Sequence, residues 1–184
     1  MRAVRDSRGD GTVHDRRKRG VVHPAATVDA AADQLESFEQ QWADRERAEW
    51  VLRPREGEEG AGEFVGSADL VFSWEKDLAL LAIWLRKPFW GRGYSEERAD
   101  ALLRLAFEEL DIGVVAIPLH GENEHSSRAV EKYVERYGGR YEGLLRNHAG
   151  RYDEPADHHR FSISQQEYLA NRDAAVTDEI AFDW

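Results

Sequence analysis

The stretch AIWLRKPFWGRGYSEERADALLRLAFEEL, from Ala82 to Leu110, constrains the chain most, because it runs strand, glycine turn and helix without interruption. Leu78 to Leu85 is an apolar run of strand length, which Lys87-Pro88 breaks. Gly91-Arg92-Gly93 then supplies a turn with little side-chain bulk. Beyond it Ala99, Leu102, Leu103, Ala106, Phe107 and Leu110 recur at three- and four-residue spacing, which predicts a helix with one apolar face. The start of such a helix offers free backbone N–H groups and the positive end of its dipole. Glycines at 91 and 93 would let an anion come close to the main chain, and a phosphorylated ligand suits the place. An ordinary structural turn would use the same glycines. No Gly-Lys-Ser/Thr is present for a nucleotide P-loop, and no third glycine or following βαβ repeat supports a dinucleotide fingerprint.

A second apolar strand is expected over Ile112 to Leu119. It leads into a polar turn, Asn123-Glu-His-Ser126-Ser-Arg128, and a short helix over 126–136 with Ala129, Val130, Tyr133 and Val134 inward, ended by Gly138-Gly139. Taken in order, Trp84-Leu85-Arg86, Phe89-Trp90-Gly91-Arg92-Gly93-Tyr94, a long helix, a strand, Asn123-x-x-Ser126-x-Arg128 and Glu131-Lys132 resemble the GCN5-related N-acetyltransferase (GNAT) family. Within it the pattern is nearest to the branch that acetylates the N-terminal residue of ribosomal proteins, and the resemblance runs from Ala25 to Leu169. It implies an acyl-CoA N-acyltransferase fold of the α/β (α+β) class, with a mixed, mostly antiparallel central sheet flanked by helices. It also implies acetyl-coenzyme A as co-substrate, with pantetheine between strands 78–85 and 112–119 that splay apart. The cofactor-binding residues it carries over are Trp84, Leu85, Arg86, Trp90, Gly91, Arg92, Gly93, Tyr94, Ser95, Asn123, Ser126 and Arg128.

The reaction implied is transfer of an acetyl group to a primary amine of a protein N-terminus or a small molecule. Ser126 stands at the family position that hydrogen-bonds the thiol sulfur, and it could equally cap the helix it begins. Two positions depart from the family pattern: Val130 stands where many members have a tyrosine acid, and Leu80 stands where related sequences have a glutamate. Glu75, Asp77, His120 and His148 remain as candidate proton acceptors. Of these His148 is of a residue type whose ordinary pKa is near neutrality and lies in the loop that resembles the acceptor rim, so Ser126 and His148 are the candidate catalytic residues. The alternative is a coenzyme A-binding module of the same fold with little turnover. His158-His159 could be taken for a metal pair, but neighbours on a strand point to opposite faces, and no metal is expected.

The 184 residues fit one domain with tails, here read as a loose basic segment 1–20, a single domain 21–172 and an acidic tail 173–184. Residues 1–20 hold seven basic and three acidic side chains, so the chain's net charge of −11 leaves about −15 on the remainder. That balance argues against a nucleic-acid partner. Nothing approaches the ~20 apolar residues of a membrane span. The absence of cysteine fits a cytoplasmic protein, and lysine only at 18, 76, 87 and 132 beside abundant acids resembles proteins of salt-loving microorganisms. A homodimer is compatible with this reading. The remaining elements expected are a helix over Thr27 to Trp42 capped by Thr27, with Val28, Ala31, Leu35, Phe38 and Trp42 on one stripe. There follow a hairpin of strands 49–53 and 63–72, final strands 140–146 and 158–164 joined by a polar loop 147–157, and a helix 165–172. The opening strand and helix of the family are not recognisable.

Overall fold

The computed structural model describes residues 28–121, 123–151 and 154–174. The basic segment 1–20, Thr27 and nearly all of the acidic tail lie outside the described residues. In chain order the elements are α1 (Val28–Ala43), β1 (Arg47–Leu52), β2 (Gly66–Ser73), β3 (Leu78–Leu85), α2 (Tyr94–Arg104), β4 (Val114–His120), α3 (Glu124–Arg136), β5 (Arg140–Arg151), β6 (Glu154–Ser164) and α4 (Gln165–Asn171). The strands form one sheet in the order β1-β2-β3-β4-β6-β5. Every pair is antiparallel except β3–β4. This is the mixed, mostly antiparallel α/β fold expected.

Alternation along the strands puts Ala68, Leu70, Ala79, Leu81, Val115, Ile117, Phe161 and Ile163 on one face, where they are buried against α2 and α3. The predicted helical face is the buried one: Ala99, Leu102, Leu103, Ala106 and Phe107 are all enclosed, as are Val130, Tyr133 and Val134 of α3. Polar contacts then fix the two helices to each other. Arg136 of α3 reaches Glu96 at 2.6 Å and the buried Asp100 at 3.4 Å, and the Tyr137 hydroxyl donates to Asp100 at 2.9 Å.

Three expectations are corrected. The helix does not run regularly to Leu110: it widens into a π-turn over Leu105–Glu109, where Gln165 Nε2 donates to the Phe107 carbonyl at 2.9 Å and to Asp111 at 2.8 Å. The expected loop 147–157 is mostly strand, since β5 and β6 continue pairing from Ala149 opposite Ala156 after a register shift beyond Leu145. Finally, the helix expected over Thr27 to Trp42, read as covering the acceptor side of the sheet, does not bury its stripe there. Leu35 is 63% and Trp42 48% exposed. Phe38 lies under Arg47 at 4.7 Å and Trp42 meets Trp50 edge-on at 6.2 Å. Residues 47 and 50 leave β1 on opposite faces, so α1 lies beside this edge strand.

Candidate active site

The parallel pairing of β3 and β4 is short. It joins Leu78 with Val114, Ala79 with Val115 and Leu80 with Ala116, and then stops. Beyond that point β3 stays with β2 as far as Leu85 opposite Gly66, while β4 stays with β6 as far as His120 opposite His158. The two strands therefore part into a wedge between Leu81–Leu85 and Ile117–His120, leaving backbone groups of both without a ladder partner across the gap. At the open end stand the two turns singled out in the sequence, one following each strand.

On the β3 side, Gly91 and Gly93 have φ of 75° and 90°, the left-handed region that glycine occupies without strain. A Cβ placed on either would meet nothing within 4 Å. Gly93 is the N-cap of α2, and Glu96 and Glu97 donate back to its carbonyl at 2.9 and 3.1 Å. The turn is held from beneath. Phe89 is buried, with the guanidinium groups of Arg86 and Arg92 over its ring at 5.5 and 5.0 Å. Trp90 Nε1 donates to the Leu85 carbonyl at 2.8 Å, which ties the turn to the strand end. Arg86 Nη1 donates to the Phe64 carbonyl at 2.7 Å, and the half-exposed Trp84 stacks on Phe64 at 6.0 Å. Arg86, Trp84 and Trp90 thus brace the lip, whereas Gly91, Arg92, Gly93, Tyr94 and Ser95 form its open edge.

On the β4 side, Asn123 donates its N–H to the His120 carbonyl at 2.9 Å and caps α3 by accepting the N–H of Ser126 on Oδ1 at 3.2 Å. Ser126 is therefore the third residue of the helix and not its cap, which removes one of the two roles open to it. Among the described residues its hydroxyl makes no hydrogen bond. Arg128, two residues further on, is exposed. Val130 is 3% exposed in the core and has no proton to give.

Register also sorts the candidate proton acceptors. Glu75 and Asp77 sit at the closed end of β3, where Asp77 Oδ1 accepts the Gly113 N–H at 2.8 Å and holds the start of β4. They are far along the strand from the wedge. His120 shares the sheet face of Leu80, Ala82 and Trp84, and its partner His158 shares that face too. The rings of His120 and His148 approach that of His158 edge-on, at 5.7 and 5.8 Å, giving a run of three imidazoles. His148 is exposed and His158 buried. Burial holds the His158 pKa below the ordinary histidine value against a bond to the Ala156 carbonyl, and positive charge on either neighbour acts in the same direction as burial. His159 points the other way, to the Tyr141 hydroxyl at 2.8 Å. Among the described residues no group of three His, Asp or Glu side chains is placed to hold a metal ion.

Sequence reasoning missed two groups on this face. In the sequence His158 suggests only a metal ligand, because its meeting with His120 depends on β4–β6 pairing that a single chain does not reveal. Asp69 lies opposite Ala82 on β2 and beside Glu49 on β1, with Arg47 at 2.8 Å. Burial pushes its carboxyl up to about 6, outweighing the attraction of Arg47.

Comparison with known proteins agrees with this geometry. Among solved structures, a Vibrio cholerae protein described as a candidate ribosomal-protein-serine acetyltransferase superposes with a TM-score of 0.64 at 22% identity, over 76% of each chain. The spermidine/spermine N-acetyltransferase SpeG from Vibrio cholerae superposes with a TM-score of 0.60 at 21% identity, over 75% of this chain and 77% of its own. A further structure, described as a candidate acetyltransferase, gives a TM-score of 0.61 at 27% identity over 81% of this chain and 73% of its own. Against curated proteins the sequence has no significant match. The family description "Acetyltransferase (GNAT) domain" matches residues 7–133, which begins inside the basic segment and covers well over half of the sequence. With the parted parallel strands, the open glycine turn and this match together, the chain belongs to the GNAT acetyltransferase family.

Proposed function

We propose that the protein transfers an acetyl group from acetyl-coenzyme A to a primary amine, carried by a protein N-terminus or by a small molecule. The observation that carries this reading is the wedge between β3 and β4, with the open Gly91–Gly93 turn and the start of α2 at one lip and the Asn123 turn at the other. In this reading the pyrophosphate lies against the N–H groups of the turn, with Arg92 as the adjacent cation, and pantetheine uses the strand edges that lack partners. The amine approaches from the face of Ala82 and Trp84. Its lone pair attacks the thioester carbonyl carbon, the carbon–sulfur bond breaks, and sulfur departs as thiolate. Ser126 donates a hydrogen bond to that sulfur. The proton released by the amine passes, directly or through water, to the histidine run headed by His148.

A second reading, a coenzyme A-binding module with little turnover, draws support from Leu80 and Val130, neither of which can exchange a proton. Incubation with acetyl-coenzyme A and a panel of amines and peptides, followed by free thiol, separates the two. Acceptor-dependent thiol release supports the enzyme. Tight coenzyme A binding without release from any acceptor assigns the module.

A further inference from the structure

A buried charge lies outside the wedge. Arg98 of α2 is 5% exposed, and among the described residues its Nε and Nη1 have no hydrogen-bond partner. It lines a cavity of about 190 Å³ between α2 and the β1–β2 hairpin, whose apolar wall is made by Trp50, Leu52, Ala68 and Leu102. We propose that this cavity is a binding site for a small apolar monocarboxylate, whose anionic head meets Arg98 and whose body fills the apolar wall.

Five features select that ligand. A guanidinium keeps its proton in proteins, so burial lowers the Arg98 pKa without discharging it, against the opposing pull of the Tyr133 hydroxyl and of Asp69, and a buried cation without a paired anion is costly. The carboxylates nearby are committed elsewhere: Asp69 faces the other side of the sheet with Arg47 at 2.8 Å, and Glu97 at the cavity mouth pairs with Arg55 at 3.3 Å. Tyr133, beside Arg98 at 6.0 Å from ring centre to guanidinium carbon, offers a ring face and no anion. The lining sets Arg53, Arg55 and Arg98 against Glu58 and Glu97, a net single positive charge that one carboxylate balances and a dianion such as phosphate would overshoot. The volume lies below the ~300 Å³ at which pockets for drug-sized ligands begin, which limits the body to about one ring or a short branched chain.

The site meets the proposed cofactor lip at Tyr94 and otherwise lies apart from it. Tyr94, Arg98 and Ala101 face the cavity, whereas Glu96 and Asp100 face α3 through Arg136. Positions two residues apart on a helix are turned by about 200° from each other, so the two sets occupy opposite flanks of α2. None of Gly91, Arg92 or Gly93 lines the cavity.

Calorimetry on the full chain with phenylacetate and isovalerate tests the assignment. At least one should bind saturably at a single site, with the same affinity in saturating coenzyme A, while phenylacetamide and inorganic phosphate at equal concentration do not. Arg98→Met should weaken binding roughly 10- to 100-fold, the scale of hydrogen bonds to a charged group. Ala101→Met, which fills the helix wall and keeps Arg98, should also abolish binding while leaving the melting temperature near that of the parent, so the test survives if Arg98→Met does not fold. The proposal is overturned if neither acid binds by ~10 mM, well past the millimolar range of weak complexes. It is equally overturned if the amide binds as well as the acid, if coenzyme A competes, or if binding persists in Ala101→Met.

Discussion

Asn123 Oδ1 accepts the backbone N–H of Ser126 at 3.2 Å, and this contact separates two roles that the sequence left joined. The cap belongs to Asn123, and among the described residues the Ser126 hydroxyl makes no hydrogen bond. Asn123→Ala should therefore cost about 1 kcal/mol of stability, the usual loss for an N-cap. Ser126→Ala should leave the melting temperature and coenzyme A affinity unchanged and lower kcat roughly 10- to 100-fold, less than an oxyanion-hole donor because sulfur is the softer acceptor. Melting curves and steady-state kinetics on both variants check this. A loss of stability in Ser126→Ala equal to that in Asn123→Ala would return the serine to a structural role.

Asp69 gives the sheet face opposite the core a signature in pH. Its carboxyl is raised from 3.8 to about 6 in the folded chain, so the folded state holds this proton more tightly than the unfolded one. The cost of ionising it is absent below about pH 4, grows as pH rises through the interval, and is complete above 6. Asp69→Asn removes that cost and leaves Glu49 to meet Arg47 at 3.2 Å. The stability of the parent relative to Asp69→Asn should fall between pH 4 and pH 7 by about 2–3 kcal/mol, since each tenfold difference in proton affinity between folded and unfolded chains is worth ~1.4 kcal/mol. Chemical denaturation of both proteins across that range measures it. A difference that grows with pH would mean that Arg47 dominates over burial.

Much of this was legible because the signals are local. The strand at Leu78, the glycine turn and the apolar face of α2 follow from spacing within one stretch, and they position the proposed cofactor lip. The fates of Leu35 and Trp42 were not legible, because periodicity reports that a helix has an apolar side and says nothing of whether a sheet edge or a sheet face will meet it. The length of β5 and β6 was hidden for a different reason. Asn147, Gly150 and Pro155 read as loop residues, and a register shift lets a strand carry them. Asp69, His158 and Arg98 escaped because their meaning lies in partners on other strands and helices. A charged or titratable residue inside an otherwise apolar period was the one available signal, and Arg98 next to Ala99 in the α2 stripe showed it.

The glycine turn yields a prediction through Arg92 more cleanly than through its glycines. Gly93 has φ of 90°, so a β-branched residue there would strain the backbone as well as fill the space of an anion. Arg92 is exposed, over Phe89 at 5.0 Å and 3.6 Å from Glu59, so its removal should leave the fold intact. Arg92→Ala should weaken coenzyme A binding several-fold in low salt, and the deficit should shrink as ionic strength approaches the ~0.15 M at which the screening length is near 8 Å. Calorimetry at two salt concentrations reads both parts. An affinity unchanged at low salt would remove Arg92 from the phosphate site.

The histidine run makes the last prediction, since it links the buried His158 to the exposed His148. Because the folded pKa of His158 lies below its ordinary value, protonation opposes folding, and the parent should lose stability as pH falls below 6.5. His158→Gln should flatten that loss. At neutral pH the buried ring is then neutral, and a proton taken up by His148 meets no fixed positive charge on His158. If His148 accepts the proton of the amine, His148→Gln should slow an alkyl amine roughly 10- to 100-fold at pH 7, toward the lower end of general-base catalysis. It should do much less at pH 9, where about a tenth of an alkyl amine of pKa near 10 arrives already neutral. An aryl amine, neutral throughout, should be almost indifferent to the substitution. Pre-steady-state thiol release with both amines at both pH values distinguishes this from a structural effect, because a distorted rim would slow the two acceptors alike and at every pH.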